Sequence, residues 1–157
     1  MEKRERPKSP EEAIREAKRY FKNAKDILKE TPIEYGIRYG DSKRVSEACA
    51  IGYLAVLLAI DAYILKKGKK PEELPTDYRE YMQWLNKIPH NGKLKAHFNT
   101  AYENLHVFGY YRGGRGVQMI KEGFKSDKFI IDTFDKLFNK KKGVKNGRKT
   151  ANARNTN

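Results

Sequence analysis

Apolar residues recur through the first thirty positions at alternating steps of three and four. They are Ala13, Ile14, Ala17, Tyr20, Phe21, Ala24, Ile27 and Leu28, with mostly charged residues between them. That spacing returns side chains to one face of an α-helix, so it predicts an amphipathic helix whose apolar stripe needs a cover. Ser9 is placed to cap it, Pro10 suits the first helical position, and Glu12 stands three residues beyond the cap, the pattern of a capping box. Thr31 and Pro32 end it, because the residue before a proline is pushed out of the helical region.

Residues 33–40, with two glycines and two tyrosines, read as a connection, after which Asp41 or Ser42 caps a second helix reaching Lys67. Its centre, ACAIGYLAVLLAI, is apolar on nearly all sides, which marks it as the central helix, touched by several neighbours. Gly52 in that run costs about 1 kcal/mol of helix propensity relative to Ala, and a close helix crossing would justify it. A polar linker over 69–75 leads to Thr76 as the cap of a third helix over 77–88, with Tyr78, Tyr81, Met82, Leu85 and Ile88 as its apolar face. Pro89 stops it.

A fourth helix is predicted over 93–109, with Leu94, Phe98, Ala101, Tyr102, Leu105 and Phe108 on one broad face. The following YYRGGRG reads as a flexible hinge, and a last helix runs over 117–138, weakest at Gly123 and at Ser126–Asp127. No segment alternates at period two, so no sheet is expected. The chain is thus read as all-α, an up-and-down bundle of four to five helices over 9–138. A disordered N-terminus (1–8) and a disordered basic tail (139–157), poor in apolar surface, flank it.

Length and charge refine this. A chain of 157 residues makes one domain with a real core. Its net charge of +14 is mostly terminal, since 136–157 holds eight Lys or Arg and no acid, 1–9 adds +2, and 10–135 keeps only +4. The tail is therefore expected to contact polyanions through phosphate neutralisation and not by reading bases. Cys49 lies in the most apolar stretch with no disulfide partner, as in a reducing cytoplasm. The apolar run over 48–60 is too short for a bilayer span, which needs about 18 residues, and MEKRERPKSP has no export-type apolar core. No membrane partner is expected, and the location is read as cytoplasmic.

Three stretches, SPEEAIREAKRYFKNAKDILKE, SEACAIGYLAVLLAIDAYILKKG, and AYENLHVFGYYRGG followed by VQMIKEGFKSDKFIIDTFDKLF, together resemble the HEPN superfamily of small helical bundles. Bacterial bundle proteins of unassigned function share the pattern. The resemblance implies a metal-independent ribonuclease built on an arginine and a histidine a few residues later, or a non-catalytic relative that binds substrates or a nucleotidyltransferase-like protein partner. This chain departs from the catalytic pattern. Upstream of His97 and His106 stand Lys93, Lys95 and Asn99, with no arginine between Arg79 and Arg112.

His90, His97 and His106 are the only candidates for acid–base work near neutral pH. Nine positions separate His97 from His106, which sends them to opposite faces of one helix, and no metal site or cofactor is expected. Around His106, the residues Asn99, Tyr102, Glu103 and Tyr110 share a helix side, with Tyr111, Arg112 and Arg115 just beyond. That set could stack a base or grip a phosphate. With Glu103 orienting it, His106 could instead act as a general base, while in the plainer alternative the tyrosines are core residues with wet hydroxyls. The leading expectation is a non-catalytic module recognising a protein partner or a nucleotide or RNA moiety through Asn99, Tyr102, His106, Tyr110, Tyr111, Arg112 and Arg115. RNA cleavage by His106 and a homodimeric structural bundle are the alternatives.

Overall fold

The computed structural model describes residues 5–139 in full and 140–155 as backbone alone. Of the segments expected to be disordered, residues 1–4 and 156–157 lie outside the described residues, while the described backbone of 140–155 is helical. Among the described residues the chain is an all-α bundle of α1 (Pro10–Lys29), α2 (Ser42–Lys66), α3 (Tyr78–Asn86), α4 (Gly92–Ala101) and α5 (Val117–Asn155).

Local chemistry starts the helices much as the sequence suggests. The Glu12 amide donates to Ser9 Oγ at 3.1 Å, although the Glu12 carboxylate reaches back to the Lys8 amide and not to that of Ser9. Asp41 caps α2 by accepting from the Arg44 amide. The cap of α3 is Asp77, which accepts from the Glu80 amide at 2.9 Å, and not the expected Thr76, whose own amide donates to the Glu80 carboxylate.

Burial confirms α2 as the axis of the bundle. Fourteen of its residues are buried, and α1, α3, α4 and α5 all pack on it. By length and composition it could cross a membrane, yet 72% of its most apolar window is buried inside the protein. Small residues let the neighbours come close. Ala13, Ala17 and Ala24 of α1 and Ala48, Ala55, Ala59 and Ala62 of α2 are wholly buried. A Cβ on Gly52 would lie 2.7 Å from the Phe124 ring of α5 and 3.1 Å from the Asp127 carboxylate.

Two expectations are corrected. Against the expectation of no sheet, the connection over 33–40 is a small hairpin, β1 (Ile33–Glu34) paired with β2 (Arg38–Tyr39), turning at Tyr35 and Gly36, both with positive φ. Two-residue strands are too short to show alternation. The glycine-rich segment is no hinge either. Gly116 bridges to Arg38, the Tyr39 amide donates to the Arg115 carbonyl and the Val117 amide to the Ile37 carbonyl, so the hairpin pins it. Gly114 is needed because a Cβ there would overlap the Phe108 ring.

Two further differences concern the last two helical stretches. The fourth helix widens after Ala101 into a π-helical segment, Tyr102–Tyr111, closed by the Arg112 amide donating to the Val107 carbonyl five residues back. The last helix passes Gly123 and Ser126–Asp127 without a break.

Replacing Gly52 by alanine tests the α2–α5 crossing. Overpacking costs about 1–3 kcal/mol against a propensity gain of about 1 kcal/mol, so Gly52→Ala should lower stability in urea unfolding by up to about 2 kcal/mol. A stabilised variant would mean that the two helices do not cross there.

Candidate functional site

The π-helical segment faces α2 and α3 and brings aromatic rings into one ladder. Tyr78 stacks on Phe98 at 5.0 Å and on Tyr102 at 4.1 Å. Tyr102 stacks on His106 at 5.5 Å, and Tyr110 follows at 5.9 Å from His106. From α2, Tyr53 packs on His106 at 4.8 Å. Four-residue steps in a helix keep Tyr102, His106 and Tyr110 on one side. Tyr53, Tyr78, Tyr102, His106 and Tyr110, with Tyr81 and the polar Thr76, Asp77 and Arg79, line an open cleft of about 820 Å³, while Phe98 is buried behind Tyr78.

The cleft is polar only at its rim and floor. The Tyr81 hydroxyl donates to Asp61 Oδ1 at 2.8 Å in the buried floor. Burial, and then the Asp61 carboxylate, push the Tyr81 hydroxyl pKa up. Burial does the same to Tyr53. Burial lowers the His106 pKa from its ordinary value, so the ring is neutral at pH 7 and can both donate and accept a hydrogen bond. The Tyr78 hydroxyl donates to Asn99 Oδ1 at 3.1 Å at the cleft edge.

The candidate residues divide. Tyr102, His106 and Tyr110 line the cleft, and Asn99 touches it through Tyr78. Glu103 is exposed and close enough to raise the Tyr78 pKa, but among the described residues no hydrogen bond joins it to His106. Tyr111, which is 80% exposed, and Arg112 lie outside the cleft lining. Arg115 turns to the hairpin, where its guanidinium donates to the Tyr39 carbonyl.

The other histidines stand apart. His97 Nδ1 lies 2.9 Å from Ser126 Oγ and its ring stacks on Phe129 at 4.1 Å. Burial, Lys125 and Lys93 lower its pKa. His90 is an exposed turn residue with φ of 55°.

Sequence reasoning did not find Tyr53, Asp77 or Arg79 as cleft residues, because they come from helices whose apposition no local pattern reveals. It also missed Asp127. This side chain is fully buried and, among the described residues, neither carboxylate oxygen is hydrogen-bonded, in space left by the missing Cβ of Gly52. Burial pushes its pKa well above the usual carboxylate range. Cys49, buried under Gly109, has its thiol pushed up to about 12 and is unreactive as a thiolate. Among the described residues, no group of three or more His, Cys, Asp or Glu could hold a metal ion.

Comparisons with known proteins give a family without an activity. The family model DUF5618, described as a domain of unknown function, matches residues 12–136. A solved structure, described as a protein of unknown function from Dyadobacter fermentans, is 36% identical with a TM-score of 0.68, over 83% of this chain and 98% of that one. No curated protein matches.

The buried Asp127 predicts a pH dependence. Its folded pKa is raised above the unfolded value, so its share of stability is complete below the unfolded pKa and is lost as pH rises through the folded pKa. Melting curves of the parent and of Asp127→Asn, compared from acid to neutral pH, should diverge, with only the parent carrying that loss. Parallel curves would show that the carboxyl is solvated.

Proposed function

As the chain belongs to the DUF5618 family, a domain of unknown function, we propose that it is a non-catalytic binding module whose cleft takes a nucleobase or nucleotide moiety. The supporting observation is the ladder of rings from Phe98 through Tyr78, Tyr102 and His106 to Tyr110, whose last ring is 48% exposed. A planar base extends such a stack, and it does so with little dependence on sequence, since every base has a π-face. Arg79 on the cleft lining is placed to meet a phosphate, and neutral His106 to meet a base edge.

Binding is favoured over RNA cleavage because the described structure gives His106 tyrosines for neighbours and no hydrogen-bonded carboxylate. A general base needs an orienting partner of that kind. We read the bundle as HEPN-like on its order of helices, in the sense of a non-catalytic relative.

Calorimetric titration with nucleoside monophosphates tests the proposal. Binding is expected, weakened by about 1–3 kcal/mol in Tyr110→Ala, with Arg79→Ala losing the preference for the nucleotide over the nucleoside. Absence of binding to every nucleotide tried would contradict it, and cleavage of labelled RNA that vanishes in His106→Ala would replace binding by catalysis.

A further inference from the structure

The hairpin lies outside the cleft and carries its own unexplained features. Ile33, Tyr35 and Ile37 are 47%, 83% and 68% exposed. Tyr35 holds a left-handed backbone, φ 53°, a strained conformation for a side chain of this size. Its ring meets the Arg38 guanidinium at 5.4 Å and otherwise stands largely in solvent.

Positive charge surrounds this tip. Ile37 borders a depression of about 360 Å³ with Lys121 and Lys125, and Ile33 borders one of about 220 Å³ with Lys25, Lys29 and again Lys121. Shared Lys121 joins the two into one face. Lys18, Lys22, Lys69 and Lys128 elsewhere form ion pairs, but among the described residues Lys25, Lys29, Lys121 and Lys125 form none. Glu122 is the one acid on the lining of either depression.

The occupant must therefore be anionic. A second copy would bring the same uncompensated charge. A nucleic-acid strand would use Tyr35 but gain little from Ile33 and Ile37, which have no π-face to stack on a base. An anionic lipid surface uses all of them, because lysines are drawn to its headgroups while isoleucine and the amphipathic tyrosine ring settle at the headgroup boundary. We propose that the hairpin and its lysine flank form a peripheral docking face for an anionic bilayer. This is contact from outside, with α2 remaining inside the bundle.

The test is sedimentation of the full chain with phosphatidylcholine vesicles, with and without phosphatidylglycerol, and in parallel its binding to an oligouridylate. Sedimentation with the phosphatidylglycerol vesicles alone, weakened by salt, is expected. The basic tail could bind such vesicles by itself, so the informative variant keeps every charge. Ile37→Ser, at an exposed position, should weaken binding about tenfold, with Tyr35→Ser as a second variant. Lys121→Glu combined with Lys125→Glu should weaken it about 25-fold or more. Failure to bind these vesicles, equal binding to neutral ones, or unchanged binding by both apolar variants would overturn the proposal, as would oligouridylate binding that depends on Lys121 without any binding to vesicles.

Discussion

One constraint organises this molecule: α2 is apolar on nearly every side and has to be covered all the way round. At about 25 cal/mol per Å² of apolar surface, leaving a flank of such a helix in water would cost a large share of a domain's net stability. The chain answers with α1 and α5 laid against it and the α4–π stretch on the remaining side. Close approach comes from small side chains, alanines on α1 and α2 and glycines at 52, 109 and 123, where a Cβ would collide with Phe124, Cys49 and Leu105 respectively. Glycine is thus used where helices touch, at a cost in propensity that packing offsets.

The candidate site follows from the same cover. Where the fourth helix meets Cys49 through Gly109, it has widened into a π-helix, a form that appears often at functional sites. In this segment Tyr102 and His106 pack on Tyr53 and Tyr110 follows His106. Packing that encloses the core therefore also leaves a ring-lined cleft at its edge, bordered by the short α3. Asp61 and Asp127 show how polar groups are carried within this core, the first in a hydrogen bond with Tyr81 and the second with burial holding its pKa well above the usual carboxylate range.

What was legible in the sequence was what each segment settles by itself. The stripe of α1, the all-round apolarity of α2, the separation of His97 from His106, and the stops at Pro32 and Pro89 all follow from short-range spacing. The hairpin was hidden because its strands are two residues long and gain their order from backbone pairing with residues 115–117, about eighty positions away. YYRGGRG looked like a hinge because glycine's freedom is visible in sequence while the Phe108 ring that demands Gly114 is not. Three of the seven candidate residues, Tyr102, His106 and Tyr110, came together in the cleft since four-residue steps hold in either helix type, and Asn99 reaches it through Tyr78. Tyr111 did not, because it stands one residue round the helix from Tyr110, and Arg112 and Arg115 did not, because the helix ends at Tyr111 and the chain then turns to the hairpin.

The role of α2 as the covered axis is most directly measured by amide hydrogen exchange. The account predicts that amides from Ala48 to Ala62 exchange only through global unfolding, with protection equal to the stability of the whole domain. Exchange of those amides through local opening, faster than in α1 or α5, would contradict it.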